Sequence, residues 1–235
     1  MIRLDKALAH MGLGSRKEVK NYIRKGYIVV NGEVVYDDDF KINPDEDEII
    51  IDGETFKYDE YVYLMLHKPA GVISATEDNR YETVVDLCPE YRNYGIFPVG
   101  RLDIDTEGLL ILTNDGALAH KLLSPKYHVF KKYYVKFSGM FKNEYLEEFE
   151  KGITIDDGYK CMPAKAEILS SDEAYVYIRE GKFHQVKRMF KALDMEVIYL
   201  KRVSFGKIDL DQELGLGNYR SLSEKEIEIL KSEVN

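Results

Sequence analysis

Cysteine is nearly missing from this chain: Cys88 and Cys161 are the two thiols in 235 residues, and they lie far apart. Two solitary cysteines support neither a disulfide framework nor a zinc knuckle, and such sparing use predicts a reducing, cytoplasmic home. There is no run of about 18 apolar residues, and the opening Met1-Ile2-Arg3-Leu4-Asp5 mixes charge with apolar side chains. Neither a secretory leader nor a membrane span is therefore expected. A fixed-period repeat is absent too, and low complexity is confined to one acidic stretch. Basic residues are in the minority, 33 lysines and arginines against 42 carboxylates, for a formal net charge of −9. On that balance alone a nucleic acid is an unfavourable partner, because cationic side chains supply most phosphate affinity. What is present is 45% hydrophobic and 12% aromatic residues, ample for a core in one large domain or two.

The charge is unevenly placed. Residues 1–35 hold Arg3, Lys6, Arg16, Lys17, Lys20, Arg24 and Lys25 against Asp5, Glu18 and Glu33, whereas residues 36–60, "YDDDFKINPDEDEIIIDGETFKYDE", are heavily acidic. A basic module thus abuts an acidic stretch, which reads as a solvated loop and linker, and phosphate responds to local charge. Leu4, Ala7, Leu8 and Met11 repeat at helical spacing. Ser15 with Glu18 fits a capping box for a second helix, whose stripe is Val19, Tyr22 and Ile23 and which Gly26 stops. Asn31-Gly32 between two β-branched runs signals a hairpin. This order, "RLDKALAHMGLGSRKEV…IRKGYIVVNGEVV", resembles the small RNA-binding domain named after protein S-four of the ribosomal small subunit. The resemblance implies a domain over 1–58 that meets structured RNA through Arg3, Lys6, Ser15, Arg16, Lys17 and Lys20.

From Tyr61 the segments lengthen and several alternate with period two, as Tyr133, Val135 and Phe137 do against Tyr134, Lys136 and Ser138. Helices are expected over 143–151, 183–194 and 223–232. Tight turns outnumber helical crossovers, so the expected class is α+β, with a mixed, mainly antiparallel sheet in a second domain over 59–235.

Three segments in that domain have the residue types for chemistry. "GRLDIDTEGLLILTNDG" (100–116) sets Asp103 and Asp105 ahead of an apolar run from Leu109 to Leu112. Alone it leaves open a turn-capping carboxylate or a reactive one at the floor of a cleft. "KKYYV" puts Tyr133 on the same strand face as Val135, either as a core ring or as a ring that stacks on a base. "REGKFHQVKRMFKALDM" gives a helix with Phe183, Val186, Phe190 and Leu193 on one stripe and Lys187, Arg188 and Lys191 off it. His184 lacks a second ligand at metal spacing and reads as a structural hydrogen bonder.

Together with "HKPAGV" (67–72), "SPKYHVFKKYYV" (124–135) and the N-terminal module, these segments resemble the pseudouridine synthases, in the branch that acts on small-subunit ribosomal RNA. His67 departs from the family, which more often has asparagine before Lys-Pro, a difference assigned to loop packing. The resemblance implies that Asp103 is the catalytic aspartate and Asp105 is not. It implies further that Tyr133 packs on the target base, that Lys187 pairs with Asp103, that Arg101 helps displace the base and that Arg188 meets RNA. The implied function is isomerisation of one uridine in 16S ribosomal RNA, with base flipping, no cofactor and no metal. The implied partner is ribosomal RNA within a partly assembled small subunit, and a monomer is expected from the lack of a heptad seam. Competing readings are a 23S ribosomal RNA synthase and a catalytically silent RNA-binding assembly factor. A glycoside hydrolase using both aspartates is weaker, because a spacing of two on an extended segment sends them to opposite faces.

Overall fold

The capping box at Ser15 forms: its hydroxyl accepts from Glu18 N, and the Glu18 carboxylate accepts Ser15 N at 2.8 Å. This detail comes from the computed structural model, which describes residues 1–44, 46–56 and 58–234. Its Cα packing divides the chain into two units, Met1–Val62 with Cys88–Ile96, and Tyr63–Leu87 with the chain from Phe97 onward. Residues 88–96 pack with the N-terminal unit.

The first unit runs β1 (Ile2–Arg3), α1 (Leu4–His10), α2 (Arg16–Arg24), β2 (Ile28–Val30), β3 (Glu33–Val34), β4 (Lys41–Ile42), β5 (Ile49–Ile51) and β6 (Glu54–Phe56). Asn31 and Gly32 join β2 to β3 with φ of 52° and 82°, the pair of positive values that a two-residue hairpin of right-handed twist requires. Leu4, Leu8, Val19, Ile23, Ile28 and Ile49 are fully buried at the centre of its core.

The acidic stretch is not the solvated linker expected of it. Asp38 accepts Arg24 at 2.7 Å and lies 3.1 Å from Lys20, and Asp39 pairs with Arg3. The buried Asp5 carboxylate accepts Arg3 at 3.0 Å and Arg16 at 2.9 Å. Burial pushes the Asp5 carboxyl up, and those two guanidinium hydrogen bonds outweigh it, holding the group below the usual range. Part of the basic stripe is therefore neutralised within the unit. Among the described residues, Lys6 and Lys17 stand exposed without an ion-pair partner.

The second unit runs β7 (Tyr63–Lys68), β8 (Phe97–Pro98), β9 (Glu107–Thr113), α3 (Gly116–Leu123), β10 (Lys131–Ser138), α4 (Glu144–Lys151), β11 (Lys165–Ile168), β12 (Glu173–Ile178), α5 (Gln185–Lys191), β13 (Glu196–Phe205), β14 (Ile208–Asp209), β15 (Tyr219–Ser221) and α6 (Glu224–Ser232). Its sheet follows the order β11-β12-β10-β13-β9-β7-β15, with β8 on β9 and β14 on β13. The β13–β9 pair is parallel and the others are antiparallel, so the class is the mixed α+β sheet read from the sequence. Every residue of β7 is buried, as a central strand demands, while β10 alternates, hiding Lys131, Tyr133, Val135 and Phe137.

The parallel junction depends on Gly108. It faces Arg202 in register at φ 109°, and a Cβ there would lie 2.2 Å from the Arg202 carbonyl oxygen and 2.6 Å from its nitrogen. Both neighbours are backbone and cannot rotate away. Gly108→Ala is expected to cost well over 1 kcal/mol and to separate β9 from β13. Denaturant unfolding checks this, and a variant within about 0.5 kcal/mol of the parent contradicts it.

The helix expected over 183–194 is shorter, Gln185–Lys191. His184 and Asp194 adopt left-handed φ of 50° and 58°, a conformation a helix cannot continue through. Phe183, expected on the apolar stripe, thus precedes the helix and is 72% exposed.

Candidate active site

Residues 101–106 form a loop that the sheet clamps through the loop's own backbone. Lys68, at the end of β7, is fully buried. Its ammonium donates to the carbonyls of Thr106 at 2.9 Å, Pro69 at 3.0 Å and Asp103 at 3.1 Å, with Ile104 at 3.4 Å. The Ser74 hydroxyl donates to Leu102 O and accepts from Leu102 N, both at 2.9 Å. Gly71 N donates to Ile104 O at 2.7 Å. Burial holds the Lys68 pKa down to about 8, against the opposing pull of Asp103, Asp105 and Glu107.

Held in this way, the loop turns at Ile104–Asp105, and Thr106 N bonds back to Asp103 O at 3.0 Å. The expectation that Asp103 and Asp105 point to opposite faces is corrected here. Period-two alternation belongs to extended backbone, and this backbone turns. Both carboxylates reach one ammonium: Lys187 Nζ donates to Asp105 Oδ1 at 2.5 Å and lies 3.4 Å from Asp103 Oδ2. Its hydrogen bond therefore goes to Asp105, while Asp103 feels the same charge at longer range. Burial raises the Asp105 carboxyl, and the Lys187 hydrogen bond and charge bring it below the ordinary value. His184 Nε2 lies 3.8 Å from Asp103 Oδ1 and stacks on Phe183, ring centroids 3.8 Å apart.

Helix α5, the source of Lys187, is anchored from below. The buried Glu180 carboxylate accepts Tyr159 Oη at 2.7 Å, Met162 N at 2.8 Å and Gln185 Nε2 at 3.0 Å, while Gln185 Oε1 accepts Lys182 N. Arg188 turns the other way, to Asp156 at 2.5 Å and Asp157 at 2.7 Å, so its charge is matched within the protein. His67 packs against the 214–218 loop, its Nδ1 2.7 Å from Leu214 O.

Arg101, Asp103, Tyr133, Gln185 and Leu200 line a small cavity of about 50 Å³, well under the roughly 300–1,000 Å³ of ordinary ligand pockets. Beside it opens a groove of about 370 Å³ walled by Ser74, Asp103, Ile104, Phe183 and His184. The structure thus brings Arg101, Asp103 and Tyr133 to one cavity, with the exposed Arg101 at its edge and Lys187 reaching Asp103 from outside that lining. Arg3, Lys6, Ser15, Arg16, Lys17 and Lys20 belong to the first unit.

Sequence reasoning gave no role to Lys68, Ser74, Lys131 and Arg202. Lys131 was within reach: it shares the buried strand face of Tyr133 and Val135, two and four residues on. An arginine between Leu200 and Ser204 carries the same signal, and Arg202 is buried with both of them.

A family model described as RNA pseudouridylate synthase matches residues 62–192, and one described as S4 domain matches residues 2–49. The chain is 50% identical to an uncharacterised RNA pseudouridine synthase of Bacillus subtilis, covering 97% of this chain and 98% of that one. It is 40% identical to ribosomal large subunit pseudouridine synthase B of the same organism, over 99% and 96% of the two chains. It is 36% identical to ribosomal small subunit pseudouridine synthase A of Escherichia coli, over 96% and 98%. A crystal structure of a pseudouridylate synthase superposes with a TM-score of 0.69 at 36% identity, covering 98% of this chain and all of that one.

Proposed function

We propose a target for this chain, which belongs to the RNA pseudouridylate synthase family: one specific uridine of 16S ribosomal RNA, modified in the cytoplasm within a partly assembled small subunit. The activity is the isomerisation of uridine in RNA to pseudouridine. The observation that carries the 16S reading is the segment Phe183-His184-Gln185-Val186-Lys187 beside the Asp103 carboxylate. Its His-Gln-Val-Lys sequence resembles the small-subunit enzymes, whereas large-subunit relatives tend to have asparagine and arginine before the glutamine. The relative named for small-subunit RNA, 36% identical over nearly full length, supports it. A specific observation favours a second reading, a 23S target: the relative named for large-subunit RNA is 40% identical.

The reaction breaks the bond from ribose C1′ to uracil N1 and makes one from C1′ to C5, moving a proton from C5 to N1 with no net change in atoms. Positive charge develops at C1′ as the base departs, and the Asp103 carboxylate is the group placed to meet it, by stabilisation or by attack. Lys187 keeps Asp105 ionised and lies 3.4 Å from Asp103. Tyr133 holds the detached uracil while it rotates, and Arg101 moves as the flipped nucleotide enters, a step that costs a few kcal/mol. Residues 1–58 dock the substrate and residues 59–235 carry the reaction, on a monomeric chain.

The test is pseudouridine mapping of ribosomal RNA from a strain lacking the gene, with and without its return. Loss and restoration of one 16S pseudouridine is the expected result. Loss of a 23S pseudouridine replaces the target and leaves the chemistry standing.

A further inference from the structure

Behind Tyr133 lies a second cleft, of about 370 Å³, walled by Gly100, Arg101, Lys131, Tyr133, Glu180 and Arg202. Two of its cations are almost completely buried: Lys131 is 6% exposed and Arg202 2%. Buried charges are ordinarily paired, since an isolated one forfeits its hydration. Among the described residues, neither of these forms an ion pair. Arg202 Nε donates to the Leu109 carbonyl at 2.7 Å, and its Nη2 is buried without a hydrogen-bond partner among the described residues. Lys131 Nζ donates to the Arg179 carbonyl at 3.3 Å, and both cations lie over the Phe205 ring. The carboxylate that lines the cleft, Glu180, is occupied by Tyr159, Met162 and Gln185. Burial and the neighbouring Arg202 charge hold the Lys131 pKa down to about 8, and Glu180 opposes them.

Two buried like charges, one with an idle donor, wall an open cleft and give it the chemistry of an anion site. We propose that the Lys131–Arg202 cleft receives a phosphate of the bound RNA, the phosphodiester adjoining the uridine held at Asp103. Arg101 and Tyr133 line this cleft as well as the Asp103 cavity, so one nucleotide spans both with its base in front and its backbone behind. The guanidinium fork and the ammonium suit phosphate oxygens. The proposal rests on RNA being the substrate and not on which ribosomal RNA is modified.

The test uses the full chain, its Lys131→Met variant and a short oligouridylate, made with ordinary linkages or with uncharged methylphosphonates flanking one uridine. The parent is expected to prefer the ordinary strand by about tenfold, a difference of about 1.4 kcal/mol. Lys131→Met is expected to lose most of that preference and to lower the salt slope of binding by about 0.7. Because the variant removes a nearly unpaired buried charge, its melting temperature should hold or rise. A fall in melting temperature with unchanged strand preference makes the lysine structural and overturns the proposal, as does any set of affinities that is the same for both proteins. Inorganic phosphate serves as the other arm. If it binds the parent and not the variant while both strands bind alike, the cleft holds a free anion and the assignment to RNA fails.

Discussion

Asp103→Asn is expected to reduce pseudouridine formation by at least roughly 10³-fold while RNA affinity and melting temperature stay near those of the parent. The substitution keeps the size of the side chain and removes its charge. Asp103 holds no hydrogen bond to Lys187; their contact is an ion pair at 3.4 Å between partly exposed groups, a class worth at most about 1 kcal/mol. Lys187 retains Asp105 at 2.5 Å, so the loop and α5 stay joined. Asp105→Asn is the informative control. It withdraws the tighter partner of Lys187 and leaves Asp103 in place, so a loss of about tenfold is expected, acting through the position of the lysine. Single-turnover assays on the mapped ribosomal RNA, with binding measured in parallel, separate the two variants. An Asp105→Asn loss equal to or larger than that of Asp103→Asn would move the reactive role to Asp105.

That control is needed because the sequence and the structure differ on how the aspartates are arranged. Strand alternation, the Ser15 capping box and the Asn31-Gly32 hairpin were legible because each depends on residues within four positions of one another. The α+β class followed from counting such local elements. The shared lysine was half legible: resemblance paired Lys187 with Asp103, and only a folded loop shows that the shorter contact is to Asp105. Distances of 82 residues in sequence carry no local periodicity. The same reason hid the partners of Arg24 and Lys20, which lie in an acidic stretch that window-by-window charge counting makes a separate linker. Helix α5 was overextended because Phe183 and Leu193 satisfy a 3.6-residue stripe, whereas its ends are set by two left-handed residues that no stripe records. Lys68 was hidden by its type: lysine on a strand reads as a solvated end, and here it replaces solvent for a turn of carbonyls.

Lys68→Met is the second large effect, and it falls on stability and activity together. Methionine fills nearly the same volume but withdraws the donor from the carbonyls of Pro69, Asp103 and Thr106. Each buried acceptor left unpartnered costs about 1–3 kcal/mol, and relief of the buried charge offsets part of the total, leaving an expected loss of about 3 kcal/mol. Against a folding free energy of about 5–15 kcal/mol this is a large fraction. Activity should fall further than stability, because the Asp103 carbonyl and its side chain share one residue of the released loop. The pH dependence supplies a sign that packing alone does not. The folded-state pKa of Lys68 is lowered to about 8 from an ordinary 10.5, so between those values the unfolded parent binds more protons than the folded one. Parent stability from this group therefore rises with pH across that window, by at most about 1.4 kcal/mol per unit. Methionine has no such contribution. The gap between parent and variant, measured by denaturant unfolding at pH 7.5, 9 and 10, is expected to widen as pH rises, while tyrosine and cysteine titrations common to both cancel. A constant gap would mean that Lys68 keeps its ordinary pKa in the folded chain. A gap near zero throughout would mean that the carbonyl cage does not hold the Asp103 loop.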